Sequence, residues 1–212
     1  MARTPTPRPG SREERRERAA AMRAAERARE RRRTIALWAS ITAVVAAIAV
    51  AVTLVIVREQ ASRPALDAVR SFTVAQGHVT TPVTYPQTPP AGGEHAPVWL
   101  NCGVYSQPVP NENAVHSLEH GAVWVTYRPD LPKDQVAALA KELPDTYVVL
   151  SPYPGLRAPI VASAWGKQLE LTGVDDPRLP EFVKEYRQGP QTPERGAACT
   201  GGTDGTSSPA GR

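Results

Sequence analysis

The pattern of hydrophobic and polar positions begins with one long apolar segment near the amino terminus. Residues 34–57 form 24 consecutive uncharged positions, rich in Ala, Val and Ile and bounded by arginines on both sides. A helix of that length rises about 36 Å, and the hydrocarbon core of a bilayer is about 30 Å thick. The segment therefore predicts one membrane-spanning helix.

Beyond residue 71 the pattern changes to short elements of two periods. Apolar runs typical of strands occur at 78–85, 98–105, 122–127, 147–150, 160–165 and 168–172. The last two runs predict a hairpin across Gly166 and Lys167, while Pro82 marks the first run as an edge strand. Helical spacing of apolar residues occurs at 133–143 and 179–186. We therefore expect an α+β fold: a single small extracytoplasmic domain with a mixed or antiparallel sheet and two or three short helices, preceded by one transmembrane helix.

These elements divide the chain into five segments. They are a cytoplasmic basic tail at 1–33, disordered or partly helical; the transmembrane helix at 34–57; a connector at 58–71, helical around residues 65–69; the extracytoplasmic domain at 72–199; and a disordered tail at 200–212.

The charge distribution assigns an orientation to this arrangement. Residues 1–33 carry twelve arginines and five glutamates, a local +7 that leaves −3 for residues 34–212 out of the total of +4. Arginines beside a span hold that end in the cytoplasm, which predicts a single-pass protein of the cell membrane with residues 58–212 outside. A long apolar run that leads into Arg58 favours an uncleaved anchor over a signal peptide. Because the basic residues belong to the tail, the composition argues against nucleic-acid binding.

The two cysteines, Cys102 and Cys199, both fall in the segment predicted to lie outside. An even number of cysteines in an oxidising compartment predicts a disulfide. A metal site built on two thiolates is the weaker alternative, because the two residues lack the close spacing of zinc-binding cysteine pairs.

All four histidines of the chain, His78, His95, His116 and His120, lie within 43 residues. With Asn113 as N-cap and Gly121 as its end, a short helix would place His116 and His120 one turn apart on the same face. Two histidines so placed can share one ion. On a strand they would be about 13 Å apart and could not.

Three functions are compatible with this cluster. The first is a metal-binding module for copper or zinc, with His78, His95, His116 and His120 as candidate ligands and Glu119 accepting a hydrogen bond from the second ring nitrogen of a ligating histidine. The second is an enzyme, because residues 116–120 fit the His-x-x-Glu-His string of inverted zinc peptidases. In the third, the histidines and Glu119 only stabilise a non-catalytic cell-envelope interaction domain with an unidentified protein partner. The sequence leaves catalysis undecided and favours its absence.

From about residue 77 to 202 the chain resembles the family called domain of unknown function 3105, common in membrane-anchored actinobacterial proteins. The motifs that carry the resemblance are Gly77-His78-Val79, Pro89-Pro90, Gly93-Glu94-His95, Trp99, Gly103-Val104-Tyr105, residues 116–121, Pro152-Tyr153-Pro154-Gly155, Ala164-Trp165-Gly166 and Pro193-Glu194. The resemblance implies a membrane-anchored extracytoplasmic domain and no particular activity.

Overall fold

The computed structural model describes residues 12–62 and 64–206 of the chain. The chain divides into two compact units, residues 1–62 and residues 63–212. They are called the first and the second unit below.

The first unit consists, within its described residues, of helix α1 (Arg12–Ser62). It is long and apolar enough to cross a membrane. Hydroxyl groups in its apolar part donate to the carbonyl four residues earlier, as Ser40 does to Ala36 (2.7 Å) and Thr53 to Ala49 (2.8 Å). The predicted span is thus helical throughout, and the helix also takes in residues 12–33 of the predicted tail; residues 1–11 lie outside the described part.

In its described residues the second unit is built on a six-stranded mixed sheet with three helices, so the predicted α+β fold is confirmed. Its elements are β1 (Arg70–Ser71), β2 (Gly103–Val104), α2 (Asn111–Glu119), β3 (Val123–Tyr127), α3 (Lys133–Glu142), β4 (Val148–Pro152), β5 (Ile160–Ala164), β6 (Lys167–Leu171) and α4 (Arg178–Tyr186). The strand order is β1-β6-β5-β3-β4-β2. Strand β4 pairs in parallel with β2 and β3, and the other pairs are antiparallel.

The central strand β3 separates two hydrophobic layers, because its successive side chains point to opposite faces of the sheet. Val123 and Val125 pack with α3 and α4 around Leu139 and Phe182. Trp124 points the other way and packs with the apolar side of α2. Helix α2 therefore lies on the opposite face of the sheet from α3 and α4.

The predicted hairpin forms one residue earlier than expected. Ala164 pairs with Lys167, so the turn is Trp165-Gly166. Gly166 has a φ of +66°, a left-handed conformation that glycine adopts without steric cost.

Two predicted strands and one predicted helix are largely irregular chain. Within the described residues, the strand-like pairing of residues 78–85 is limited to the bridge between His78 and His95. The Val83 amide also donates to the Glu112 carboxylate (2.9 Å) and the Tyr85 hydroxyl to the Glu94 carbonyl (2.8 Å). Of residues 98–105 only β2 is a strand. The helix expected around residues 65–69 is a turn, in which the Val69 amide donates to the Leu66 carbonyl (3.0 Å).

The predicted disorder of the carboxy-terminal tail is wrong for its first residues. Leu100 and Thr203 form a bridge, and the Asn101 amide donates to the Thr203 carbonyl (2.8 Å). The Asn101 side chain also accepts a hydrogen bond from the Gly202 amide (2.8 Å). Backbone pairing outweighs the polar composition there, and residues 207–212 lie outside the described part.

Candidate metal centre

Helix α2 ends in a motif that holds its last turn in place. The Gly121 amide donates to the Leu118 carbonyl (3.0 Å) and the Ala122 amide to the Ser117 carbonyl (2.9 Å). This is a Schellman arrangement, and Gly121 supplies the positive φ, +102°, that it needs. The predicted helix end at Gly121 is confirmed.

The predicted N-cap is wrong. The helix begins at Asn111 after Pro110 and has no side-chain cap. Asn113 is instead buried in the first turn, where its Nδ2 donates to the Val98 carbonyl (2.6 Å).

His116 and His120 are buried on one face of α2, with their ring centroids 4.5 Å apart. The Nδ1 of His116 donates to the Ala96 carbonyl (2.7 Å), and the Nδ1 of His120 donates to the Ala198 carbonyl (2.6 Å). The two Nε2 atoms therefore face each other, at 2.9 Å. Two neutral rings in this pose would bring their lone pairs together, and either a shared proton or a bound cation would relieve that repulsion.

The other two histidines approach from the loop side of α2. His95 is fully buried, and its Nδ1 donates to the Gly93 carbonyl (2.7 Å). Its ring lies 4.9 Å from that of His116 and 4.9 Å from that of His78. His78 stacks on His116 at 4.9 Å and has a side chain that is 47% exposed. The structure thus brings all four sequence-predicted histidines together.

Glu119 faces the loop histidines and not the histidines of its own helix. Its Oε2 lies 2.9 Å from Nε2 of His95 and 3.8 Å from Nε2 of His78. Glu119 was expected behind a ligating histidine, at the far ring nitrogen. It lies instead among the inward-facing nitrogens, and backbone carbonyls occupy the far side of three of the rings.

A carboxylate from outside the predicted set, Glu194, completes the cluster. Its amide donates to the Glu119 carbonyl (3.0 Å), and its Oε2 lies 3.4 Å from Nε2 of His120. Glu194 stands 74 positions after His120 in a loop without periodicity, so no spacing pattern singles it out. The usable signal was its presence in the Pro193-Glu194 motif of the family resemblance.

The predicted disulfide between Cys102 and Cys199 is present, with a sequence separation of 97. The Cys102 amide also donates to the Cys199 carbonyl (2.7 Å). The bridge ties down the segment that supplies Glu194 and the Ala198 carbonyl, and hence the segment that orients His120.

Within the described part of the chain, two groups of ligand atoms could each hold a metal ion. The four-ligand position is His78, His95, His116 and Glu119; the three-ligand position is His116, His120 and Glu194. Within each group all ligand atoms lie within 4.8 Å of one another. Nitrogen and oxygen ligands about 2.0–2.1 Å from a tetrahedral ion lie about 3.4 Å from each other, so small side-chain movements suffice for binding.

His116 belongs to both groups, and burial determines its charge. It lowers the pKa of His116 to about 4; the hydrogen bond to Ala96 opposes this shift, and the other three histidines reinforce it. His116 is therefore neutral at neutral pH, with its proton on Nδ1 and the lone pair of Nε2 available to an ion.

The surroundings of the cluster are aromatic and closely packed. The Trp99 ring lies 5.2 Å from that of His120, and the Trp165 ring lies 5.8 Å from that of His95. A cavity of about 580 Å³, lined by Val79, Ala96, Glu112 and other residues, includes none of the six side chains of the two groups in its wall. The centre is thus suited to hold an ion and does not open onto that cavity.

Comparisons with known proteins give a family without an assigned activity. No curated protein and no solved structure matches the chain. The family model "Protein of unknown function (DUF3105)" matches residues 78–201, more than half of the chain and all six side chains of the two ion positions. The chain belongs to the DUF3105 family.

Proposed function

We propose that the protein is a membrane-anchored, extracytoplasmic metal-binding module for copper or zinc, with His78, His95, His116 and His120 as ligands. The observation that carries this proposal is the orientation of three buried rings. In His95, His116 and His120 the Nδ1 donates to a backbone carbonyl and Nε2 turns inward. Ligating histidines are held in this way, because the bond at one nitrogen fixes the tautomer that presents the other.

The opposed nitrogens favour this proposal over a purely structural cluster. A structural network places a donor against each acceptor. Between His116 and His120, however, two nitrogens that have no hydrogen of their own in the neutral rings meet at 2.9 Å. A structural cluster would need an added proton there, and burial disfavours protonation of His116 by lowering its pKa. A divalent cation satisfies both lone pairs, and Glu119 and Glu194 supply negative charge to balance it.

The contacts of Glu119 do not favour the peptidase. A glutamate in the His-x-x-Glu-His string acts as a base on a water bound to the metal of the two histidines. Here Glu119 is bound to His95, and its side chain is only 5% exposed. The string ends a nine-residue helix and does not lie inside a long one.

The proposed location rests on the first unit and the disulfide. Helix α1 carries the arginine excess at its amino-terminal end, and its hydroxyl groups are satisfied within the helix, as a segment in lipid requires. An extracytoplasmic second unit suits the Cys102–Cys199 disulfide. A reporter enzyme that is active only outside the cytoplasm, fused after Arg212, should be active; activity of a cytoplasm-specific reporter there would contradict the orientation.

Metal analysis of the full-length protein in detergent tests the binding. The protein, carrying a tag without histidine, is stripped with a chelator, dialysed against Zn²⁺ or Cu²⁺ and analysed by mass spectrometry. We expect a stoichiometric ion in the wild type and none in His116→Ala, because Nε2 of His116 belongs to both positions.

Ser117→Ala is the matched control on the same helix. It removes a buried hydroxyl that donates to the Leu100 carbonyl (2.7 Å) but no ligand atom, so it should retain the ion. Circular dichroism identifies variants that fail to fold. Equal metal content in wild type and folded His116→Ala would remove the metal function and leave the interaction domain.

A further inference from the structure

The two ion positions have one ligand in common, His116, and this shared residue limits how they can be filled. We propose, on the basis of the metal-binding function above, that they form one exchange site. A single ion occupies either position and keeps His116 as its ligand when it moves between them. Glu194, which the sequence did not indicate as a ligand, belongs to this site.

Mutual exclusion follows from the lone pairs of one ring. The Nδ1 of His116 is committed to the Ala96 carbonyl, at 2.7 Å. Only Nε2 remains, and a neutral imidazole nitrogen offers a single lone pair to a metal. The ring cannot bridge two ions, which would require both nitrogens. Occupation of one position therefore takes His116 from the other.

Movement between the positions needs little rearrangement. His120 and His95 are both close to His116, with ring centroids 4.5 and 4.9 Å from it. All ligand atoms of each group are within 4.8 Å of one another. An ion can thus exchange His120 and Glu194 for His95, His78 and Glu119 without leaving His116.

The two positions reach the surface through different residues. Glu194 is 51% exposed and serves only the three-ligand position; His78 is 47% exposed and serves only the four-ligand position. The shared His116 is buried between them. Three protein ligands leave a coordination place for water or an incoming ligand, whereas four close a tetrahedral shell. The arrangement suits an ion that is received in one position and held in the other.

Titration of the full-length protein in detergent with Co²⁺, a spectroscopic substitute for Zn²⁺, tests this inference. Glu194→Gln disables the three-ligand position and His78→Ala the four-ligand position. Both changes are at exposed side chains, so they spare the core. We expect one ion per chain in the wild type and in each variant, with different visible spectra in the two variants because the donor sets differ.

Glu142→Gln, at an exposed glutamate of α3 outside the cluster, is the matched control and should keep the wild-type spectrum. Two ions per wild-type chain would overturn the exclusion and leave the proposed function intact. Complete loss of binding in either variant, or identical spectra in both, would show that the cluster has a single ion position and would overturn the proposed exchange. A wild type that binds no ion would instead refute the metal-binding function itself.

Discussion

The burial of His116 predicts a specific dependence of stability on pH in the metal-free protein. Its pKa is lowered to about 4 in the folded state, against about 6.5 in an unfolded chain. Between these values the unfolded state binds more protons than the folded state. The free energy of unfolding therefore falls as pH is lowered through 6.5 and stops falling, as far as His116 is concerned, below about 4.

The size of the effect follows from the two pKa values. Between pH 7 and pH 5 the proton taken up by the unfolded His116 lowers the free energy of unfolding by about 2 kcal/mol. His116→Gln removes this contribution, because an amide does not titrate. The variant should be less stable than the wild type at pH 7, and the gap should narrow by about the same 2 kcal/mol at pH 5.

Urea unfolding of the full-length protein in detergent with a chelator, followed by tryptophan fluorescence, measures the difference. Trp99, close to both His116 and His120, reports on the cluster itself. Titrating groups outside the cluster are present in both proteins and largely cancel in the comparison. Ser117→Ala should keep the wild-type pH dependence. An equal loss of stability between pH 7 and pH 5 in wild type and His116→Gln would refute the reasoning.

Two further predictions concern the segments that support the cluster. Replacing both Cys102 and Cys199 by serine should lower the free energy of unfolding by up to about 5 kcal/mol, the loop-closure value for a separation of 97. It should also weaken ion binding through His120 more than through His95, and unchanged binding in both positions would contradict the link to Ala198. Gly121→Ala should lower the free energy of unfolding by about 2 kcal/mol or more, because alanine is strained at φ +102°. The added Cβ would also displace the Gln188 side chain. Gly155→Ala, at φ +83° with open space around it, should lower the free energy of unfolding by less. Equal losses of melting temperature in the two variants would show that the Gln188 contact contributes nothing.

The elements that the sequence predicted well are those whose pattern of apolar residues directly reflects which of their residues are buried. Strand β3 is buried along its whole length, and α4 buries Leu179, Phe182 and Val183 at helical spacing. These patterns follow from burial on both faces for β3 and on one side for α4, and each element expresses that burial in its own residues. The hairpin of β5 and β6 was likewise visible, with an error of one residue at its turn.

The predictions that differed from the structure involve segments held by distant partners. Residues 78–85 alternate like a strand but are held by single contacts, such as that of Val83 to Glu112. The segment after residue 200 has the composition of a disordered tail, yet Gly202 and Thr203 pair with residues 99–101. Local composition could not reveal either result, because the stabilising groups lie about 30 and 100 positions away.

In the candidate site, the sequence predicted which residues take part but not how their side chains are oriented. The sequence identified its four histidines because imidazole is rare in this chain and concentrated in one stretch. The orientation of those rings depends on the carbonyls of Gly93, Ala96 and Ala198. Every residue has a backbone carbonyl, so the residue type cannot show in the sequence which carbonyls orient the histidine rings. The candidate ligands can therefore be read largely from side chains, but the inward turn of their nitrogens, on which the proposed metal binding depends, is visible only in the fold.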